Sequence, residues 1–146
     1  MLRGNALAKV DEKGRLKIPA SFRAVLDPSY GKECFVTSID GNSVRLYPME
    51  TYAQLEERLI QASTLQPLVT RLRNALNYFG QRAAIDGQGR VLIHPMLRES
   101  AAIDGEIAVL GQQNYLELWN RATIEARLRD NPLTDDELRE LAALGF

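Results

Sequence analysis

The pentapeptide Asp11-Glu12-Lys13-Gly14-Arg15 returns as Asp86-Gly87-Gln88-Gly89-Arg90, and each copy runs into an apolar-alternating stretch with a proline close behind. A chain of 146 residues that states the same D-x-x-G-R turn twice is an internal duplication, and that constrains its fold more than any other feature. At an offset of 75, Leu16 matches Val91, Ile18 matches Ile93, Phe22 matches Leu97 and Arg23 matches Arg98. At an offset of 72, Val44-Arg45-Leu46-Tyr47 lies over Leu116-Glu117-Leu118-Trp119, so three residues are missing from the second connection. The chain divides into a first repeat at 1–80 and a second at 81–146.

Patterning predicts strands at Leu2 to Val10 and Leu16 to Ile18, joined as a hairpin by the first loop, in which Gly14 supplies positive φ. Pro19 then starts a short helical turn with Phe22 and Val25 or Leu26 facing inward. A second hairpin pairs Cys34–Thr37 with Val44–Tyr47 around the turn cluster Asp40-Gly41-Asn42-Ser43. Tyr52, Leu55 and Leu59 mark an amphipathic helix from about Met49 to Ala62; Leu68, Leu72, Leu76 and Phe79 mark another, ended by Gly80. The second repeat gives strands near Arg82–Ile85, Arg90–Ile93, Ile107–Leu110 and Tyr115–Trp119, then a helix around Ile124 and Leu128. Thr134-Asp135-Asp136-Glu137 is a capping-box pattern opening a tail helix with Leu138, Leu141 and Leu144 along one edge. About four short strands per repeat are too few to close a sheet comfortably alone, so the two copies are expected to interlock.

Chemistry-bearing residues are sparse. Cys34 is the sole cysteine, so no intramolecular disulfide can form, which suits a reducing cytosol. His94 is the sole histidine and lies far from Cys34, which supports neither a metal cluster nor a Cys-His nucleophile pair. Asp135 and Asp136 sit at a helix start, where carboxylates favour the dipole, and Tyr47 and Trp119 occupy equivalent strand ends suited to packing against the helices that follow. No catalytic residue, metal ligand or cofactor is expected. The N-terminus lacks an apolar signal core and no stretch approaches a membrane span, so a cytoplasmic, soluble protein is expected.

The net charge of −1 argues mildly against nucleic acid, but its distribution matters more. Residues 1–23 hold Arg3, Lys9, Lys13, Arg15, Lys17 and Arg23 against two acids, a net of +4, whereas residues 125–146 have a net of −3. An arginine ending a glycine-containing turn can project from a sheet rim, and its donor fork matches phosphate oxygens or the O6 and N7 edge of guanine. The aspartate four residues earlier can accept turn N–H groups and hold the arginine.

With the start Met1-Leu2-Arg3-Gly4, the run from Asp11 through Pro19 to Arg23, Leu46-Tyr47-Pro48, Phe79-Gly80 and the run Asp86 to Arg98, this sequence closely resembles the MraZ family of bacterial transcriptional regulators, relatives of the AbrB-like swapped-hairpin DNA-binding proteins. The resemblance implies a mainly β, α+β fold: two AbrB-like repeats interlocked as an intramolecular pseudo-dimer, double-split β-barrel-like, with peripheral helices. It further implies a ring-like homo-oligomer whose loops bind short G-rich direct repeats in the promoter of the division and cell wall gene cluster. Carried over, the DNA-binding residues are Arg15, Arg90 and Lys13, with Arg3, Lys9 and Arg23 of second rank, while Asp11, Gly14, Asp86 and Gly89 order the loops. Gln88 and Gly87 replace Lys13 and Glu12 in the second loop, so unequal contributions are expected. The expected partners are double-stranded promoter DNA in the nucleoid and further copies of the chain, with no membrane and no small-molecule substrate. The alternative is an AbrB-like, antitoxin-like protein-interaction module whose acidic C-terminal helices hold a partner and whose loops bind DNA for autoregulation.

Overall fold

A computed structural model describes residues 1–62 and 66–146. The first repeat supplies β1 (Asn5–Lys9), β2 (Arg15–Lys17), α1 (Ala20–Tyr30), β3 (Glu33–Thr37), β4 (Val44–Pro48), α2 (Met49–Gln61) and α3 (Pro67–Tyr78). The second supplies β5 (Gln81–Ala84), β6 (Arg90–Leu92), α4 (Pro95–Ser100), β7 (Glu106–Gly111), β8 (Leu116–Asn120), α5 (Arg121–Asp130) and α6 (Asp135–Ala143). The fold is mixed α+β with antiparallel pairing throughout.

Alternation puts Cys34, Val36, Val44, Leu46, Ile107, Val109, Leu116 and Leu118 on one sheet face, where they join Leu16, Val91, Phe22, Leu26 and Leu97 in a single core. On the other face, α2 covers β3 and β4 while α5 covers β7 and β8. There Tyr47 stacks on Tyr115 at 4.8 Å and lies 5.4 Å from Tyr52, and Arg127 lies 5.0 Å over Trp119, so both strand-end aromatics pack as expected.

The sheet order is β1-β7-β8-β4-β3-β5, with β2 and β6 forming a separate two-stranded ribbon. Exchanging equivalent strands of the two repeats leaves that order unchanged when read from the opposite edge. Arg45, equivalent to Glu117, is also its cross-strand partner in the β4–β8 ladder, and Leu16 likewise opposes its equivalent Val91 in the ribbon.

The structure departs from several expectations. The first loop does not join a β1–β2 hairpin: β1 pairs with β7, β2 pairs with β6, and between the expected arms only the bridge Val10↔Leu16 forms. Leu16 and Val91 are completely buried in the cross-repeat ribbon, an apolar gain that a local hairpin on the sheet edge lacks. Nor does the sheet close into a barrel: among the described residues no ladder joins β1 to β5, and β2 with β6 forms a sheet of its own. Helix α1 also runs well beyond one turn, through Pro28 to Tyr30, and α4 was not anticipated as a helix.

Candidate nucleic-acid interface

Each D-x-x-G-R segment folds around its own aspartate. Asp11 Oδ1 accepts the backbone N–H groups of Lys13 and Arg15, both at 2.9 Å, while Oδ2 accepts Arg15 Nε at 2.9 Å. Asp86 repeats the pattern with the N–H groups of Gln88 and Arg90 and with Arg90 Nε, again all at 2.9 Å. The turn closes by Gly14 N–H donating to Asp11 O and Gly89 N–H donating to Asp86 O, each at 3.0 Å. The Arg15 N–H bond is the largest cause holding the Asp11 carboxyl below its ordinary value of 3.8, desolvation opposes it, and the Arg15 side chain and Lys13 N–H add to the lowering. The Arg90 N–H plays the same leading part for Asp86. Nε of each guanidinium is committed to the aspartate, and its Nη groups have no hydrogen-bond partner among the described residues.

Both turn glycines adopt the left-handed region, φ +82° at Gly14 and +77° at Gly89. They are also crowded crosswise. A Cβ on Gly14 would lie 2.6 Å from Arg98 Cζ, and one on Gly89 would lie 2.5 Å from Arg23 Cζ. Each loop is thus braced by the arginine of the other repeat, and the backbone repeats the exchange: Ile18 N–H donates to Gly89 O at 2.8 Å, and Ile93 N–H to Gly14 O at 2.9 Å. Arg98 Nε is anchored on Ile93 O at 2.9 Å. Arg23, expected as a second-rank DNA contact, lies instead against the second loop, and Arg98, its equivalent at the offset of 75, takes the same place against the first.

The ribbon carries these loops to its two ends. Leu16 and Val91 point into the core, so Arg15, Lys17, Arg90 and Leu92 occupy the outward face. Arg15 stands opposite Leu92, and Lys17 stands opposite Arg90. Lys17 therefore adds its charge to the second loop's end, offsetting the lysine that the second loop lacks. Lys13 is exposed in the first turn, and Lys9 lines with Lys17 a groove of about 660 Å³ beside the ribbon. Arg3 lies at the other end of β1, some six residues or roughly 20 Å of extended chain from Lys9. The structure thus gathers Arg15, Arg90, Lys13 and Lys9, adds Lys17, turns Arg23 inward to brace a loop, and leaves Arg3 apart.

The remaining sequence candidates sit elsewhere. Cys34 is buried, its thiol directed at Ala83 O and pushed by burial up to about 12. His94 occupies the N-cap position of α4 without a side-chain capping bond, and burial holds its imidazole below the ordinary range. No group of three His, Cys, Asp or Glu side chains placed to hold a metal occurs among the described residues, and no helix there is long and apolar enough to cross a membrane. Thr134 and Glu137 form the reciprocal capping box of α6, whose residues are almost wholly exposed.

A family model described as "MraZ protein, putative antitoxin-like" matches residues 1–75 and 80–142. The chain is 40% identical over 146 residues to a protein of Acidobacterium capsulatum named transcriptional regulator MraZ, with the whole of both chains covered. A protein of the same name from Koribacter versatilis is 40% identical over 147 residues, again the whole of both. One from Escherichia coli is 31% identical over 132 residues, covering 90% of this chain and 87% of the relative.

Proposed function

From the premise that this chain belongs to the MraZ family, we propose that it is a sequence-specific, DNA-binding transcriptional regulator. Its targets in this reading are short G-rich direct repeats in the promoter of the division and cell wall gene cluster. The observation that carries the reading is the matched pair of Asp-ordered arginine loops at the two ends of one outward ribbon face. A two-stranded ribbon fits the major groove of about 12 Å width, and an arginine whose Nε is already held has its free Nη edge oriented before DNA arrives.

Arg15 and Arg90 read guanine or grip phosphate, Lys13 and Lys9 contact the backbone, and Asp11, Gly14, Asp86 and Gly89 hold the loops in shape. Arg23 and Arg98 act as positioning residues beneath them. Arg3 reaches backbone only outside the ribbon's footprint. We read residues 1–80 and 81–146 as AbrB-like repeats interlocked in an intramolecular pseudo-dimer, a reading supported by the strand order that is unchanged on exchange of repeats. The protein works at the nucleoid as a ring-like homo-oligomer, for which the support is unpartnered apolar surface: Leu68 is 73% exposed, Leu144 73% and Phe146 88%. Several loops acting along one duplex raise avidity well above that of one chain, which reconciles DNA binding with a net charge of −1.

The test is a mobility-shift and footprinting comparison between DNA upstream of the chain's own gene and a scrambled fragment of equal composition. Preferential binding with protection of spaced G-rich repeats is expected; equal affinity for the two fragments refutes the reading. The antitoxin-like description of the family model, together with the exposed apolar edge of α6, favours a second reading in which α6 holds a protein partner. A chain truncated before Thr134 that keeps every regulatory effect in cells excludes it.

A further inference from the structure

The outward ribbon face breaks the symmetry of the duplication. Arg15 and Arg90 are equivalent positions, but their cross-strand neighbours are not alike: Arg15 faces Leu92, and Arg90 faces Lys17. A ribbon with identical arms would present the same chemistry in both directions along a duplex. This one presents an arginine beside an apolar side chain at one end and an arginine beside a lysine at the other.

Leu92 is 50% exposed at the ribbon end it shares with Arg15, and the core has no use for it, since Leu16 and Val91 on the inner face are completely buried. Its neighbours on the outer face are Arg15, Lys17 and Arg90; Asp11 and Asp86 pair the two arginines and the Lys17 charge is left over, a setting that disfavours an apolar protein partner and favours a polyanion. The major groove offers one apolar feature, the thymine 5-methyl group. Directly opposed side chains in an antiparallel pair have Cβ atoms about 5 Å apart, and base pairs rise by about 3.4 Å, so Leu92 and Arg15 address the same or adjacent base pairs.

We propose that Leu92 packs against a thymine 5-methyl group beside the base read by Arg15, while Lys17 contacts phosphate beside Arg90, so that each chain reads its site in one direction only. The proposal rests on the DNA-binding reading above.

Two probes test it, both the DNA upstream of the chain's own gene, one with its natural thymines and the other with every thymine replaced by uracil, which removes only 5-methyl groups. The wild-type chain should bind the thymine probe at least about fourfold more tightly, the loss expected for one buried methyl group. Leu92→Ala should weaken binding to the thymine probe by a similar factor and bind both probes equally. Equal binding of the two probes by the wild-type chain, or an undiminished thymine preference in Leu92→Ala, overturns the proposal. A scrambled probe bound as tightly as the upstream one instead removes the regulator reading, and this contact falls with it; upstream preference without thymine preference removes this contact alone.

Discussion

Gly14→Ala should destabilise the chain far more than the same change at Gly87 in the other loop. Alanine at Gly14 must hold φ near +82°, which costs an L-residue about 1–2 kcal/mol. Its Cβ would also sit 2.6 Å from Arg98 Cζ. The guanidinium can swing away, but only by giving up the 2.9 Å bond from its Nε to Ile93 O, worth about 1 kcal/mol in a half-buried setting. The sum is about 2–3 kcal/mol, or a fall in Tm of roughly 5–10 °C for a chain of this size. Gly87 meets nothing within 4 Å and has no positive φ, so Gly87→Ala should be neutral or slightly stabilising. Gly4, at φ +80° but in open space, should lose the backbone cost alone, about 1–2 kcal/mol. Thermal melts of the three variants check this ladder. A Gly14→Ala chain that melts within about 2 °C of Gly87→Ala would refute the crosswise bracing of the loops. In an Arg98→Ala background, Gly14→Ala should cost only what Gly4→Ala costs.

Other outcomes follow from the same geometry. Asp11 and Asp86 have folded values depressed below the ordinary 3.8, so their contribution is fully present above that value and is lost as pH falls through the lower folded one. Melts against pH should therefore show the wild-type chain losing more stability below about pH 4 than an Asp11→Asn, Asp86→Asn chain; parallel acid limbs would contradict the loop electrostatics. Affinity for the upstream DNA should fall with rising salt, and Lys17→Ala should reduce the slope of log affinity against log salt by about one; an unchanged slope would remove Lys17 from the phosphate contacts. Binding should weaken when about 5 bp are inserted between operator repeats, since half a turn moves the next repeat to the far side of the duplex; light scattering that finds only monomers, or phase-independent affinity, would remove the ring.

Local features were the legible ones. Gly14 and Gly89 in positive φ, the turn at residues 40–43, the Thr134–Glu137 capping box and the aspartate bonds within each loop all depend on residues a few positions apart, and the sequence states them directly. Partner choice was not legible. Nothing near Leu16 says that its strand belongs against Val91, 75 residues away, rather than against β1, because both pairings satisfy alternation and only burial in the assembled core separates them. The same gap hid the roles of Lys17 and Leu92, whose meaning comes from register across the ribbon. Arg23 and Arg98 look like surface cations until the fold packs each against the glycine of the opposite loop. Helix α4 is six residues long, too short for periodicity to register; Pro95 at its first turn and its offset from α1 were the only cues.

The central claim is that DNA is read by the two arginines at the ribbon ends, and a mobility-shift titration of Arg15→Ala and Arg90→Ala on the upstream and scrambled fragments tests it most directly. Each arginine keeps a partly exposed ion pair with its own aspartate, so either substitution should change stability by no more than about 1 kcal/mol. The expected result is a loss of about 5- to 150-fold in affinity for the upstream fragment from either substitution, the range of one bidentate base contact, with little change on scrambled DNA. Retention of wild-type affinity and preference by both folded variants would contradict the account.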